Sequence, residues 1–257
     1  MLVTDQMDEA TAVDMARECL YRFLAAALDD PQAKHRGLLA HAPSNLLAAD
    51  AADLLRAEWQ SSPFPLGFGE LSAEELDLRP LLAECTRARE NLTAEYDRVF
   101  GLVPARECPP FETEYLATTE PFFRAQQLAD VAGFYRAFGL EPSRQCPERP
   151  DHIVLELEFM AVLLAKQRLA DNADQVAICR EAALAFFREH LVWWVLSFAN
   201  GLRRKACGTF YPAVGKVLAA FVTWERGRIG LEPPRLPLRA SHPEAPEAQS
   251  GCASCTV

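Results

Sequence analysis

Apolar residues recur every three or four positions along most of the chain, which is the spacing of one face of an α-helix. In Asp8–Asp30, for example, Val13, Leu20 and Leu24 keep this spacing, and the pattern stops before Pro31. Comparable patterns cover approximately residues 45–60, 73–100, 112–138, 150–169, 174–200 and 210–228. Since no stretch alternates apolar and polar residues for long enough to form a sheet, the pattern predicts an all-α protein.

Two segments without this periodicity divide the chain. The proline-rich stretch "LEPSRQCPERP" (Leu140–Pro150) separates an N-terminal part, residues 1–140, from a C-terminal part, residues 150–231. Residues 232–257 are rich in Pro, Ala and Glu and carry few large apolar side chains. Ordering them would cost about 1–2 kcal/mol per residue with little burial in return. The sequence therefore predicts one helical domain over residues 1–231, followed by a flexible, cysteine-containing tail that folding does not require.

The charge balance excludes one large class of partners. The chain has 36 acidic and 26 basic residues and a net charge of −10. A nucleic-acid-binding protein needs a basic face that displaces counterions from phosphates, so we expect no nucleic-acid partner. An acidic protein is suited instead to a partner that is itself basic.

No targeting or membrane-spanning segment is evident. The first residues are acidic and lack the basic and apolar regions of a signal peptide. The longest apolar run, Leu191–Ala199, is about half of the ~20 residues that a membrane span needs. We therefore expect a cytoplasmic protein without membrane insertion, in which the eight cysteines are free thiols.

Motifs for catalysis and cofactor binding are incomplete. The Gly-Lys of "VGKV" (214–217) lacks the other residues of a phosphate loop, and "GFG" (67–69) lacks the third glycine of a dinucleotide site. His152 and Glu156 are four residues apart and could form half of a metal site, but no second histidine is near to complete it. As an alternative, His152 is a partly buried polar residue at a helix start. We expect neither an enzyme nor a bound cofactor.

The tail ends in a Cys-x-x-Cys pair, Cys252 and Cys255. This spacing occurs in metal and redox sites, but a single pair lacks the second pair that would close a tetrahedral site. One interpretation is an exposed thiol pair without a fixed role. The alternative is a small helical metal- or redox-binding protein in which this pair acts together with Cys108 or Cys146.

The segment "YDRVFGLVPARECPPFETEY", residues 96–115, combines aromatic and acidic residues around a Pro-Pro turn. Three glutamates and no base lie between Glu107 and Tyr115. Such aromatics are ordinarily core residues, and glutamates beside them are ordinarily solvated. A second interpretation is a cleft with aromatic walls and acidic groups. Such a cleft suits a peptide that is apolar in one part and carries arginine in another.

A second unusual segment opens the predicted helix at Pro150. Proline fits the first helical position, and Asp151 favours the positive end of the helix dipole. A cationic His152 is unfavourable there, so helix stability does not explain it. If the Pro-Pro turn faces this helix start, five acids converge in the cleft: Glu107, Glu112, Glu114, Asp151 and Glu156.

Three stretches, in this order, match the motifs of a known family. The first helix contains Arg-x-x-x-Tyr-x-x-Leu at Arg17, Tyr21 and Leu24. The second stretch joins Tyr-x-x-hydrophobic-Phe-Gly to a Pro-Pro-aromatic-Glu turn, at Tyr96, Val99, Phe100, Gly101, Pro109, Pro110, Phe111, Glu112 and Tyr115. The third is a Glu-x-Pro-x-Asp-His signature, which is met by Glu148, Pro150, Asp151 and His152 with the proline directly before Asp151. On these motifs the chain resembles the TorD/DmsD/NarJ family of cytoplasmic chaperones for molybdenum redox enzymes.

The resemblance spans about residues 8–230 and has three departures. Val99 stands where leucine is commoner, Thr113 stands where serine is common, and the cysteine-bearing tail is not a family feature.

The resemblance implies a single all-α domain of the TorD/DmsD type and a binding function without catalysis. The implied partner is the apo catalytic subunit of a molybdopterin oxidoreductase, held by its twin-arginine leader or N-terminal segment. Binding would prevent premature export or assembly until the cofactor is inserted. The implied peptide-binding residues are Tyr96, Val99, Phe100, Glu107, Pro110, Phe111, Glu112, Tyr115, Glu148, Pro150, Asp151 and His152.

Some members of this family exchange halves across a hinge, so the chain is expected to be a monomer or a domain-swapped homodimer with Leu140–Pro150 as the hinge. If the halves are exchanged, analytical ultracentrifugation should show a concentration-dependent dimer in the micromolar range. A single monomeric species over that whole range would contradict the exchange.

Overall fold

The computed structural model describes residues 2–32, 42–87, 91–101, 108–118, 120–141, 148–204 and 208–235. These residues form nine α-helices and no strand, which confirms the all-α prediction. The helices are α1 Leu2–Leu28, α2 Ala42–Ser61, α3 Arg79–Arg87, α4 Leu92–Val99, α5 Pro121–Ala137, α6 Ile153–Arg168, α7 Ala173–Phe186, α8 Val195–Arg204 and α9 Phe210–Arg228. Short 3-10 turns occur at Ala73–Glu75 and Glu112–Tyr115, and a π-helical turn at Phe187–Leu191.

Three predicted segments are interrupted in the structure. Prolines mark two of the breaks, because Pro80 lies in the first turn of α3 and Pro121 begins α5. The third break is the π-helical turn, after which the chain bends by 53° into α8. Among the described helices none is by itself long and apolar enough to cross a membrane; only the bent pair Ala173–Leu191 and Val195–Arg204 passes that test jointly.

Helices α6 and α9 form the centre of the protein. In α9, residues on every face are buried, including Phe221 and Trp224. A helix that is apolar on all sides must be surrounded by others. Here α1 packs on α6 and α2, α7 packs on α6, and α8 packs on α9.

Two residues of the first sequence motif attach α1 to α9. The guanidinium of Arg17 donates to both carboxylate oxygens of Glu225, at 2.8 and 3.0 Å, in a buried bidentate pair. The ring of Tyr21 meets Phe221 edge-on, with 4.8 Å between centroids. The motif therefore has a structural role in this chain.

The start of α9 is capped by a distant glutamate. Thr209 precedes the helix without a capping side chain, and Glu95 of α4 accepts hydrogen bonds from the N–H groups of Phe210 and Tyr211, at 3.1 and 3.3 Å. Gly208 has a φ of +103°, and a Cβ there would lie 2.2 Å from the Glu95 carboxylate. Glycine is thus required for both conformation and space.

The end of the described chain lies against the loop before the first 3-10 turn. The N–H of Phe68 donates to the Pro234 carbonyl at 2.8 Å, and a Cβ on Gly67 would come within 2.5 Å of Pro234. The sequence predicted that the tail begins at residue 232, so Pro234 belongs to the predicted tail but contacts the domain. Residues 236–257, with Cys252 and Cys255, lie outside the described residues, as do 142–147 of the predicted hinge.

This contact leads to a prediction for two truncations. Removing residues 236–257 should leave the melting temperature unchanged, whereas removing 232–257 should also remove the hydrogen bond to Phe68. Such a bond contributes about 0.5–1.5 kcal/mol, and for a protein of this size 1 kcal/mol shifts the melting temperature by roughly 2–4 °C. Differential scanning calorimetry of both truncations tests this. Identical melting temperatures of the two truncated proteins would show that the contact adds no stability. A melting temperature below that of the full chain after removal of 236–257 alone would show that the tail docks.

Candidate functional site

The Pro-Pro turn and the Pro-Asp-His segment are paired in the structure. Phe111 and His152 form an isolated antiparallel β-bridge. In it the N–H of Glu112 donates to the Asp151 carbonyl and the N–H of Ile153 donates to the Pro110 carbonyl, both at 2.9 Å. The condition under which the sequence predicted a cleft, that these two segments face each other, is therefore met.

Asp151 is fully buried and joins the two segments through its side chain. Its Oδ2 accepts hydrogen bonds from the N–H and the hydroxyl of Thr113, at 3.1 and 2.8 Å. The guanidinium of Arg149 donates to Oδ1 and Oδ2, at 3.1 and 2.9 Å. The arginine that pairs with Asp151 in this structure thus comes from the chain itself.

Sequence reasoning missed Arg149, although both of its neighbours were named. Its side chain is 40% exposed, and it also donates to the Thr113 hydroxyl, at 2.7 Å. The guanidinium carbon lies 4.1 Å from the centre of the Phe111 ring, a cation–π contact. Its position two residues before the acid of the Pro-Asp-His signature was the available signal.

His152 caps helix α6, which begins at Ile153 and not at Pro150 as predicted. Its Nδ1 accepts a hydrogen bond from the N–H of Val154 at 3.3 Å. Burial lowers the pKa of His152, and the nearby charges of Glu148 and Asp151 oppose this only in part. A neutral imidazole that accepts a hydrogen bond removes the conflict with the helix dipole.

Glu112 is directed inwards and is fully buried. It accepts hydrogen bonds from Gln127 at 2.8 Å and from Trp193 at 3.2 Å, and it lies 3.2 Å from His190 Nδ1. Burial raises the pKa of Glu112, while the interactions with His190 and Gln127 act in the opposite direction. The sequence predicted this carboxylate in the wall of the cleft, whereas in the structure it lies beneath the surface.

Glu156, in the first turn of α6, is also fully buried. One oxygen accepts a hydrogen bond from the Trp194 indole at 3.2 Å, and the other has no hydrogen-bond partner among the described residues. Burial raises the pKa of Glu156 well above its usual value, and the neighbouring acids Glu112 and Asp151 add to the shift. The one group of possible metal ligands among the described residues contains neither His152 nor Glu156, so the structure does not support a metal held by this pair.

The other apolar residues of the predicted binding set are mostly core residues. Val99 and Phe100 are buried, and the Phe100 ring packs edge-on against Tyr211 of α9 at 5.2 Å. Tyr115 is buried against Trp194, and its hydroxyl donates to the Pro109 carbonyl at 3.1 Å. Tyr96 is only half-buried.

Some of the predicted peptide-binding residues remain accessible around the β-bridge. Glu148 is exposed, while Phe111 and Pro150 are partly exposed and Pro110 is buried. Glu107 and Cys146 lie outside the described residues, and Cys108 is fully buried.

A neighbouring apolar surface was not predicted. Phe122 and Phe123, in the first turn of α5, are 71% and 51% exposed. They precede Arg124, which forms an ion pair with Glu114 at 3.2 Å, so α5 begins beside the Pro-Pro turn. The dipeptide Phe-Phe between Pro121 and Arg124 was the signal in the sequence.

The chain is similar to known assembly factors. Residues 70–200 match the sequence model of the family described as nitrate reductase delta subunit. The selenate reductase assembly chaperone protein of Thauera selenatis is 32% identical over 156 residues, covering 53% of this chain and 79% of that protein. The chlorate reductase assembly chaperone protein of Ideonella dechloratans is 33% identical over 108 residues, covering 41% of this chain and 54% of that protein.

The burial of Glu156 predicts a specific pH dependence. The folded protein keeps a proton that the unfolded chain, with a glutamate pKa of about 4.3, releases. Stability is therefore lost as the pH rises above this unfolded value and towards the raised folded pKa. Glu156→Gln removes the effect and can still accept the Trp194 hydrogen bond. The variant should gain unfolding free energy over wild type, by more at pH 8 than at pH 5.

Urea denaturation at both pH values measures this difference. Glu158→Gln, at an exposed position of the same helix, is the control and should show no such trend. If the unfolding free energies of Glu156→Gln and wild type differ by the same amount at pH 5 and pH 8, the pKa of Glu156 is not raised.

Proposed function

Because the chain belongs to the nitrate reductase delta subunit family, we propose that it binds the N-terminal or twin-arginine leader segment of an apo molybdopterin oxidoreductase catalytic subunit. Membership confirms the resemblance to the TorD/DmsD/NarJ chaperones, which assist assembly and do not catalyse a reaction. In this proposal the chain acts in the cytoplasm. It holds its client back from export or assembly until the molybdopterin cofactor has been inserted.

The observation that carries this proposal is the hydrogen-bonded pairing of the Pro-Pro turn with the Pro-Asp-His segment. It unites two of the three motifs, although they are about 40 residues apart, and surrounds them with partly exposed aromatic and charged side chains. The client segment binds along this pairing.

The residues of the site divide into two roles. Glu148, Pro150, Phe111 and half-buried Tyr96 are accessible and contact the client. The buried members hold the two segments in place beneath it; these are Val99, Phe100, Pro110, Glu112, Tyr115, Asp151 and His152. Glu107, outside the described residues, is assigned to the contacting set as one of the acids of the predicted cleft.

Glu148 and Glu114 form an acidic rim beside the β-bridge. A client arginine binds first to this acidic rim and then competes with Arg149 for Asp151. Glu148 is exposed, and Glu114 already holds Arg124 at 3.2 Å and Arg149 at 3.6 Å. Since Arg149 is 40% exposed, displacing its guanidinium into water costs far less than removing a buried one. A client guanidinium can then take over the Asp151 carboxylate and the face of Phe111. Charge-assisted hydrogen bonds of this kind contribute about 1.5–3 kcal/mol each.

The apolar part of the client lies against the first turn of α5. Phe122 and Phe123 form an exposed aromatic pair beside the acidic rim, with 5.7 Å between ring centroids. A leader segment that carries arginines followed by apolar residues matches this sequence of surfaces.

Calorimetric titration with a synthetic twin-arginine leader peptide tests the site. Asp151→Asn and His152→Ala should each weaken binding about tenfold or more, a loss of at least ~1.4 kcal/mol. Glu148→Gln and Phe111→Ala should also weaken it, by removing a rim charge and an aromatic contact. A twin-lysine peptide should bind less tightly than the twin-arginine peptide, because lysine cannot form two parallel hydrogen bonds.

Two controls separate binding from folding. Asp50→Asn, on the exposed face of α2, should leave the affinity unchanged. Asp151→Asn also weakens the contacts with Thr113 and Arg149, so its unfolding free energy is measured in parallel, whereas Glu148→Gln leaves the buried network intact. If wild type binds the peptide and all four variants bind equally well, the client site lies elsewhere on the chain.

A further inference from the structure

The π-helical turn places a histidine between two acids. His190 is fully buried, and its ring packs against Phe134 and Phe186 with centroids 5.4 and 4.9 Å apart. Donor atoms of His190, Glu189 and Asp130 all lie within 4.8 Å of one another. Asp130 belongs to α5, so the cluster joins two elements that are separate in the sequence. Single π-helical turns are often found at functional sites.

The hydrogen bonds around His190 leave one ring nitrogen free. Nδ1 lies 3.2 Å from the Glu112 carboxylate and 3.3 Å from the Gln127 amide nitrogen. The Gln127 amide donates to the carboxylate over the shorter distance of 2.8 Å, and the carboxylate is the stronger acceptor, so we assign the imidazole proton to Nδ1. Nε2 then carries a lone pair, and this buried atom has no hydrogen-bond partner among the described residues. It lies 3.5 Å from Oδ2 of Asp130, so the lone pair faces that carboxylate.

We propose that His190 Nε2 and the carboxylates of Asp130 and Glu189 bind a divalent transition-metal ion of the zinc class. Glu112 is the positioning residue, since a carboxylate on the second ring nitrogen orients and strengthens a histidine ligand in many metal sites. One nitrogen and two carboxylate oxygens suit zinc, cobalt or manganese ions. Magnesium and calcium prefer oxygen ligands alone and should bind less well.

Both acids lie on the solvent side of the histidine. The Asp130 side chain is 59% exposed, and Glu189 is also exposed, so either can move to admit an ion. Water would complete the coordination. The site is independent of the tail thiols, because none of its ligands is a cysteine.

Metal binding would anchor α5. In this 17-residue helix only Val131 and Tyr135 are buried, so most of the helix lies at the surface. A bond from Asp130 to the π-helical turn would connect its middle to the core. Amide hydrogen exchange in α5 should slow when the ion binds.

Zinc titration of chelator-treated, full-length protein tests the proposal. The parent carries Cys252→Ser and Cys255→Ser, which removes zinc binding by the tail. Calorimetry should show one bound zinc ion, and Asp130→Asn and Glu189→Gln should each weaken it tenfold or more. Glu181→Gln, at an exposed position of α7, is the matched control and should leave the affinity unchanged. Excess magnesium should not displace the zinc.

Because His190→Gln changes a fully buried residue and would alter folding as well as binding, the two exposed acids decide the outcome. The proposal is overturned if the parent binds no zinc. It is also overturned if the Asp130→Asn/Glu189→Gln double variant binds zinc with the affinity of the parent. Hydrogen exchange gives a second readout, and unchanged exchange of α5 in the presence of bound zinc would place the ion elsewhere.

Discussion

The structure around the candidate site depends on the neutralisation of one buried carboxylate, that of Asp151. A buried charge without partners would cost several kcal/mol, so this side chain needs both a cation and hydrogen-bond donors. Arg149 supplies the cation and Thr113 supplies two donors. Because Thr113 lies on the Pro-Pro turn, satisfying Asp151 also pulls that turn onto the start of α6 and permits the β-bridge.

The same constraint places the neighbouring acids. Once the turn is paired, Glu112 is directed into the protein towards Gln127, Trp193 and His190, and this connects the turn to α5 and to the π-helical turn. The proposed client-binding surface and the proposed metal site therefore share one buried support. Binding at either surface would act on α5, whose first turn carries the exposed phenylalanines and whose middle carries Asp130.

Several family motif residues have structural explanations in this chain. Arg17 pairs with Glu225, Tyr115 hydrogen-bonds to Pro109, and His152 caps α6. The histidine that opposes the helix dipole as a cation is compatible with it as a neutral acceptor. These residues thus preserve the shape on which a contact surface is built, and the contacts themselves are assigned to their accessible neighbours.

The sequence by itself determined the helical class, because apolar spacing and proline breaks are local properties of the chain. It also placed the turn and the helix start among the residues of interest, through their unusual composition. It could not determine which acids are buried, since the Asp151 carboxylate accepts hydrogen bonds from the N–H and the hydroxyl of Thr113, 38 residues away. Nor could it reveal that His190 faces Asp130 and Glu112, because the three residues lie on separate elements that meet only after packing. Burial and long-range pairing, which set the chemistry of these side chains, were decided by the tertiary structure.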